Sequence, residues 1–299
     1  MVYTIRRKIV NLDEIKISIN FKQVPPQQAQ VHVLDRGFLY GDGIYEVIRT
    51  YQGRLYTFKR HFQRLQRSAR SIYMELPCSE ESLARHLREM VAQVGAANCY
   101  LRVVVTRGLS EISIEPPSPC EPMLVVIAKP LKEWPASCFT HGVRLMTPEV
   151  RRNPKAAMDP MIKSGNYLNC VLASFQAKRA GFDDALIVGT QGQITEATLS
   201  NIFFVKNSQV LTPSLESGIL DGITRGIVLE LCQQHNISHQ EKWLTMEDVR
   251  HADESFLTST SREVMGVCAI NEQRLPVPGP VTKKLHSLYQ DFIQANLDT

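Results

Sequence analysis

Three parts of the sequence have the residue types needed to do chemistry together. Lys163 lies among apolar residues in MIKSGNYLN, just before a predicted helix, where lost solvation would lower the pKa of its amine and favour imine chemistry. Glu196 lies inside a predicted strand, QITEATLSN, where a carboxylate needs a cationic partner or a proton. The turn LDGITR at 220–225 offers helix-start N–H groups and the hydroxyl of Thr224 to a phosphate. Together they predict a pyridoxal 5'-phosphate site, because that cofactor brings its own electron sink and needs orientation and electrostatic tuning.

Each part also has a plain structural explanation when taken alone. Lys163 can be a surface lysine with a packed stem, Glu196 can face water from an edge strand, and the glycine at the helix start can serve as an N-cap. The combination favours the cofactor site. Arg64, on a predicted helix, is the best candidate for a charged contact to the phosphate.

Composition and charge argue against nucleic-acid and membrane partners. The 299 residues are 43% hydrophobic and 21% charged, as in a globular protein, and the net charge of +4 is too mild to indicate nucleic-acid binding. Arg60, Arg64 and Arg67 share one helical face, which we interpret as a solvated face with one arginine diverted to a site. The longest apolar run, MLVVIA at 123–128, is far too short to span a bilayer.

The seven cysteines are scattered, odd in number and never spaced as C-x-x-C, so neither a disulfide framework nor a zinc site is predicted. His235 and His239 have a helical metal-ligand spacing, but the intervening residues look like a frayed helix end, and we expect no metal. Reduced thiols indicate a cytoplasmic protein.

The order of predicted elements indicates an α+β chain with two domains. Residues 1–130 are predicted to form a small N-terminal domain of short strands and two amphipathic helices, the second capped by Ser79. Residues 131–142 are predicted to be the linker, and residues 143–299 a larger C-terminal domain. The elements predicted in that second part are a strand near 143, a helix at 166–180, strands at 185–188, 193–205, 209–212 and 255–259, and helices at 223–234 and 281–295.

The runs EATLSNIF, VLT and LDGITR resemble the signature of the class IV aminotransferases, the fold type IV enzymes that use pyridoxal 5'-phosphate. The resemblance extends from about Val31 almost to the C-terminus. That family includes branched-chain amino acid aminotransferases, D-amino acid aminotransferases and 4-amino-4-deoxychorismate lyases. The resemblance implies a D-amino acid aminotransferase-like fold, with a small α/β domain and a larger domain that has a barrel-like β core and helices. It also implies a homodimer with the active site between domains and near the subunit interface.

The resemblance also assigns roles to residues. Lys163 matches the lysine that forms the internal aldimine, Glu196 the carboxylate at the pyridine nitrogen, and Tyr167 a residue near the cofactor's 3-oxygen. The residues that match the phosphate cup are Arg64, Ile223, Thr224 and Thr260. These matches imply a ping-pong transamination, in which Lys163 moves the α-proton and the amino group passes to 2-oxoglutarate or another keto acid.

Substrate residues are predicted on two strands and one turn. Tyr45 and Arg49 share a face of one predicted strand, and Tyr100 and Arg102 share a face of another. The Tyr-x-Arg pair is typical of branched-chain enzymes and favours an L-branched-chain donor, although both side chains can instead belong to an interdomain hydrogen-bond network. On the turn, Ser261 and Arg262 follow Thr260, and Arg262 is a departure from the family that could contact an acidic or aromatic substrate.

Other segments keep alternatives open. DRGFLYGDGIYEV resembles D-amino acid aminotransferases as much as branched-chain ones, but GLSEISIEPPSP lacks the R-x-H carboxylate trap of the former. Ser110 and Ser113 stand where glycines are common in branched-chain enzymes, and Arg262 keeps deoxychorismate lyase possible. A cofactor-binding protein without turnover would be expected to lack Lys163 or Glu196, and both are present.

Overall fold

The computed structural model describes residues 11–297. Within these residues the first part of the chain forms a six-stranded antiparallel sheet in the order β2-β1-β6-β5-β3-β4. Its strands are β1 (Lys16–Ile19), β2 (Lys22–Val24), β3 (Gly43–Tyr51), β4 (Arg54–Leu55), β5 (Cys99–Thr106) and β6 (Met123–Pro130). The neighbouring strands β3 and β5 are in register from Gly43 opposite Thr106 to Arg49 opposite Tyr100.

Helices α1 (Arg36–Tyr40), α2 (Phe58–Ser71) and α3 (Glu80–Val94) accompany this sheet. Helix α2 packs Phe62, Leu65 and Ala69 in the apolar core under the sheet. Helix α3 begins at the predicted Ser79 cap, whose hydroxyl accepts from the Ser82 backbone N–H at 3.1 Å. Both predicted helices are therefore present, and α2 carries the predicted phosphate contact Arg64 along one side of the sheet.

The second part of the chain forms a larger, mixed sheet of nine strands within the described residues, in the order β12-β11-β10-β13-β14-β7-β8-β9 with β15 paired to β14. The strands are β7 (Val143–Met146), β8 (Asp184–Val188), β9 (Ile194–Ala197), β10 (Asn201–Lys206), β11 (Gln209–Pro213), β12 (His239–Lys242), β13 (Glu254–Ser259), β14 (Glu263–Ile270) and β15 (Gln273–Arg274). The terminal strand β9 contacts β10 and β11 near the other end of the sheet, so the sheet is curled.

One strand prediction needs correction, and strand β14 is absent from the predictions. The single strand predicted at 193–205 is two strands, because the Ala197 N–H donates to the Ser200 carbonyl at 2.8 Å and turns the chain between them. The sequence does not predict strand β14, because its first five residues are all buried and lack the alternation of apolar and polar residues that marks a strand with one solvent-exposed face.

The remaining helices lie around the second sheet. They are α4 (Ala136–Thr140), α5 (Leu168–Arg179), α6 (Ile223–Gln234), α7 (Met246–Arg250) and α8 (Pro280–Ala295). Helix α6 has the bounds predicted from the sequence. In the part of the chain that the structure describes, no helix combines the length and apolarity needed to cross a membrane.

The apolar interior consists of clusters that belong to one sheet and of one cluster that both parts of the chain share. One cluster takes residues from β3, β5, β6, α2 and α3, and others lie around the second sheet. A further cluster combines Tyr51 and Tyr56 of the first part with α6 and α8 of the second. The mixture of helices and sheets is the α+β class expected, whereas the division into two domains with a linker at 131–142 stays a prediction.

Gly142 offers a test of the packing at the start of the second sheet. Its φ is +71°, and a Cβ built on it would lie 2.8 Å from the Gly266 carbonyl oxygen and 2.8 Å from Val277. Gly142→Ala should therefore lower the free energy of unfolding by the left-handed backbone cost of about 1–2 kcal/mol plus about 1–3 kcal/mol of overpacking. Gly181→Ala, at φ +81° with nothing within 4 Å, should show only the backbone cost. Urea denaturation measures both, and equal losses would contradict the overpacking.

Candidate active site

A cavity of about 170 Å³ lies where residues of the two sheets meet. Of the predicted site residues, eleven line it: Tyr45, Arg64, Tyr100, Arg102, Lys163, Tyr167, Glu196, Ile223, Thr224, Thr260 and Ser261. Strands β3 and β5 supply one side, and β9, the end of β13 and the start of α6 supply the other. The structure thus brings together, in one cavity, groups that are far apart in sequence.

Lys163 is held by its backbone. Its carbonyl accepts from the Tyr45 N–H at 2.9 Å, and its own N–H donates to the Ser68 hydroxyl at 3.2 Å on α2. The Nζ lies 3.4 Å from the Tyr45 hydroxyl and 4.5 Å from the centre of the Tyr45 ring. Burial, together with the nearby charge of Arg64, lowers the pKa of the Lys163 amine to about 8. A substantial fraction of the amine is therefore neutral near physiological pH and available as a nucleophile or base.

Glu196 is buried and has partners on both oxygens. Oε1 accepts from the Arg152 guanidinium at 2.7 Å, while Oε2 accepts from the Asn201 amide at 3.1 Å and the Leu220 N–H at 3.2 Å. Burial raises the pKa of the Glu196 carboxyl above its ordinary value, although Arg152 opposes the shift. Sequence analysis missed Arg152 because it stands 44 residues before Glu196 and no local pattern distinguishes it from other arginines.

Arg64 is anchored by a carboxylate that the sequence analysis did not single out. Its Nε and Nη2 donate to the two oxygens of Glu46 at 2.7 and 2.8 Å, and its Nη1 donates to the Asp221 carbonyl at 2.9 Å. The ring of His61 lies 2.7 Å from the same carboxylate. Burial opposes ionisation of Glu46, but Arg64 and His61 outweigh it and hold the pKa of Glu46 well below its usual range. The guanidinium is thereby held at the cavity beside the turn that starts α6.

The start of α6 has free donors. The first hydrogen bond within the helix runs from the Gly226 N–H to the Gly222 carbonyl at 2.9 Å, so the N–H groups of Ile223 and Thr224 precede it. These groups and the helix dipole favour an anion. A Cβ at Gly222 would come within 1.9 Å of the Asn201 side-chain oxygen, so only glycine fits this close approach.

The lining fits pyridoxal 5'-phosphate. An amine of lowered pKa, a buried carboxylate and the positive end of a helix surround one cavity. The amine suits the aldehyde of that cofactor, the carboxylate suits its ring nitrogen, and the helix end suits its phosphate. The hydroxyl of Thr258 adds a buried polar atom that lines the cavity and has no hydrogen-bond partner among the described residues. Such an atom indicates a polar ligand or a water in the cavity.

Two predicted substrate residues, Arg49 and Arg262, do not line the cavity. Arg49 donates to Glu263 at 2.7 Å and stacks on the Tyr51 ring at 3.8 Å. Arg262 donates to Asp184 at 2.6 Å. Both guanidinium groups are buried, and a buried charge takes a carboxylate partner wherever the fold supplies one.

Arg102 differs from these two arginines. It lines the cavity, stacks on the Tyr45 ring with its Cζ 3.9 Å from the ring centre, and has no carboxylate partner in residues 11–297. The alternative that Tyr100 and Arg102 belong to an interdomain hydrogen-bond network stays a prediction, and the contact found for Arg102 among the described residues is the Tyr45 ring. A free cation in the cavity can bind the carboxylate of a ligand.

Comparisons with known proteins agree with this geometry. The family model "Amino-transferase class IV" matches residues 43–270. A provisionally named branched-chain-amino-acid aminotransferase of Methanocaldococcus jannaschii is 38% identical over 93% of this chain and 96% of its own. A D-alanine aminotransferase of Bacillus licheniformis is 33% identical over 93% and 97%. The solved structure of the branched-chain aminotransferase from Thermoproteus uzoniensis with norvaline superposes with a TM-score of 0.88 at 30% identity, covering 95% of this chain and 96% of its own.

The lowered pKa of Lys163 can be measured directly. In cofactor-free protein whose lysines carry ¹³C-dimethyl labels, the Lys163 signal should titrate at about 8, whereas exposed lysines should titrate at about 10.4. The neutral, reactive fraction of the amine therefore increases as the pH rises through 8. Lys163→Arg identifies the signal by its loss. A Lys163 signal that titrates with the exposed lysines would show that the cavity does not lower the pKa.

Proposed function

This chain belongs to the class IV aminotransferases, which use pyridoxal 5'-phosphate, and from that premise we propose that it transfers the amino group of an L-branched-chain amino acid to 2-oxoglutarate or another keto acid. The observation that carries the acceptor in this proposal is Arg102, a cavity-lining cation without a carboxylate partner in the described residues. It suits an acceptor that has a second carboxylate. The names of the M. jannaschii relative and the Thermoproteus uzoniensis structure support the same substrate class.

The residues around the cavity have separate tasks in this proposal. Bound pyridoxal 5'-phosphate supplies an electron sink for the bond that breaks at the substrate's α-carbon. Lys163, with its pKa of about 8, takes the α-proton and returns it as a general base and acid. Glu196, oriented by Arg152, keeps a proton on the ring nitrogen. Arg64 and the start of α6 bind the phosphate.

The side chain of the donor is proposed to lie against the first sheet. Tyr45 and Val47 project from one face of β3, and Tyr100 projects beside them from β5. The aromatic rings and the valine give an apolar surface suited to a branched aliphatic chain. Arg102, next to Tyr45, is proposed to bind the distal carboxylate of 2-oxoglutarate when that acid occupies the same site.

D-alanine transamination is the second candidate, because relatives 32–33% identical to this chain are named D-alanine aminotransferases. The absent R-x-H trap in GLSEISIEPPSP weakens it. The deoxychorismate lyase alternative loses the support that Arg262 gave it, since Arg262 pairs with Asp184 and does not line the cavity.

We also propose a homodimer. Helix α5 exposes Leu168, Leu172 and Phe175, and the spacing of three and four residues places them on one face. Leu168 is 71% and Phe175 61% exposed, which leaves an apolar surface of the kind that partners cover. Sedimentation equilibrium should return twice the chain mass of 33.8 kDa.

A cytoplasmic location is proposed from the thiols. All seven cysteines are unpaired, and reduced thiols are typical of the cytoplasm. Detection of the native protein in a fraction other than the cytosol would contradict this proposal.

The donor proposal is tested by single-turnover product analysis. With L-leucine and no acceptor, the cofactor-loaded enzyme should release about one equivalent of 4-methyl-2-oxopentanoate per site, because the first half of a ping-pong reaction needs no second substrate. D-alanine should release no comparable amount of pyruvate. Lys163→Ala, which lacks the amine, should release neither keto acid. Pyruvate from D-alanine alone would make the enzyme D-specific and replace the branched-chain proposal.

The role of Arg102 is tested on the acceptor. Arg102→Leu should raise KM for 2-oxoglutarate about tenfold or more, since a charge-assisted hydrogen bond contributes about 1.5–3 kcal/mol. KM for 4-methyl-2-oxopentanoate, which has no second carboxylate, should change much less. Arg102→Lys keeps the charge and serves as the control. Equal increases in KM for both acids would mean that Arg102 does not bind the second carboxylate.

A further inference from the structure

The hairpin between β13 and β14 carries part of the cavity wall at its tip. Thr260 and Ser261 line the cavity, and Arg262 and Glu263 follow them with buried side chains that do not. Glu263 has a φ of +57°, in the left-handed region that residues other than glycine seldom adopt. A backbone of this kind persists only where surrounding contacts hold it.

Arg262 ties the tip to the second sheet. Its Nη1 donates to Asp184 at 2.6 Å and to the Ser200 hydroxyl at 3.2 Å, and its guanidinium lies 4.9 Å from the centre of the Trp134 ring. The Arg262 N–H also donates to the Ser259 hydroxyl at 3.2 Å and closes the turn. The Arg262 side chain thus points away from the cavity, and all of these contacts are with other parts of the protein.

Asp184 extends this contact to a second part of the wall. Its Oδ1 accepts from the Thr198 hydroxyl at 2.5 Å, and Thr198, Leu199 and Ser200 all line the cavity. One buried ion pair, Arg262–Asp184, therefore connects the segment 198–200 to the turn 259–261.

Glu263 ties the tip in the other direction, to the first sheet. Its Oε1 accepts from Arg49 at 2.7 Å and from the Tyr51 hydroxyl at 2.6 Å, and its Oε2 accepts from Gln290. Two adjacent residues of opposite charge are thus each paired with a buried partner on a different element. The turn at 260–261, which precedes them, is therefore attached to both sheets through these two pairs.

We propose that Arg262 and Glu263 are positioning residues that hold Thr260 and Ser261 in the cavity wall, where the turn shapes the site for the amino acid substrate. The amino acid substrate comes from the proposed function, on which this inference rests. Without Arg262, Asp184 loses its buried counter-charge, and the segments that the pair joins can separate. Arg262 makes no contact with Lys163, Glu196 or Arg64, and of the predicted cofactor residues only Thr260 belongs to the turn it holds, so the loss is expected mainly in substrate binding.

The test is calorimetric titration of 4-methylpentanoate, an unreactive analogue of leucine, into the cofactor-loaded enzyme. Arg262→Met should weaken binding about tenfold or more, as expected when a buried pair loses one partner. Arg262→Lys keeps the charge but cannot serve Asp184 and Ser200 together, and should weaken it about threefold. Arg250→Met, which removes an exposed arginine from its pair with Glu247, is the matched control and should bind within about twofold of wild type.

Kinetics separate positioning from simple loss of stability. Arg262→Met should raise KM for L-leucine about tenfold while kcat stays within about threefold, because the turn acts on substrate binding. Both variants are compared at full cofactor loading, since Thr260 is also a predicted phosphate contact. A lower melting temperature with unchanged KM and analogue affinity would overturn the proposal. If Arg262→Met does not fold, Arg262→Lys decides: analogue affinity equal to wild type overturns the proposal.

The outcome also separates this inference from the proposed function. If the wild-type enzyme binds no 4-methylpentanoate and releases no keto acid from L-leucine, the branched-chain proposal fails and this inference fails with it. If the wild type binds the analogue and Arg262→Met binds it equally well, only the positioning role fails.

Discussion

The short backbone pairing between the Lys163 segment and β3 is the constraint on which the site depends. The Tyr45 N–H donates to the Lys163 carbonyl at 2.9 Å, and the Gly165 N–H donates to the Gly43 carbonyl at 3.2 Å. Lys163 belongs to the second part of the chain, yet these bonds attach it to the first sheet. Because β9 and the start of α6 form the opposite wall, the amine is held where both sheets can act on one ligand. Its lowered pKa follows from that enclosure.

Burial of charge explains which cations remain available. Around the cavity, the structure pairs buried carboxylates with arginines: Glu46 with Arg64, Glu196 with Arg152, Asp184 with Arg262, and Glu263 with Arg49. An unpaired buried charge is costly, so each arginine offsets the desolvation of the carboxylate that it contacts. Among the described residues that line the cavity, Lys163 and Arg102 are the cations left without a carboxylate. Lys163 is therefore available to react with an aldehyde, and Arg102 is available to bind a substrate carboxylate.

The misplacement of Arg49 and Arg262 shows the limit of pattern reasoning. Alternation along β3 correctly places Tyr45, Val47 and Arg49 on one face, but the cavity ends at Val47 and Arg49 lies over Tyr51. Likewise, a residue next to Ser261 is close to the site in sequence, yet its side chain turns toward Asp184. Periodicity gives the direction of a side chain relative to its own element. The extent of a cavity depends on what other elements bring to that face.

The sequence by itself determined the local features of this protein. The apolar neighbours of Lys163, the start of α6 at Ile223 and the Ser79 cap of α3 all depend on residues a few positions apart. The cofactor could be inferred from these features and from the family signature. Only the tertiary structure decided which charges are paired, because Glu196 meets Arg152 across 44 residues and Glu263 meets Arg49 across the two sheets. Desolvation and ion pairing act through space, so Arg102 can be identified as the available cation only once the carboxylate partners of the other arginines are known.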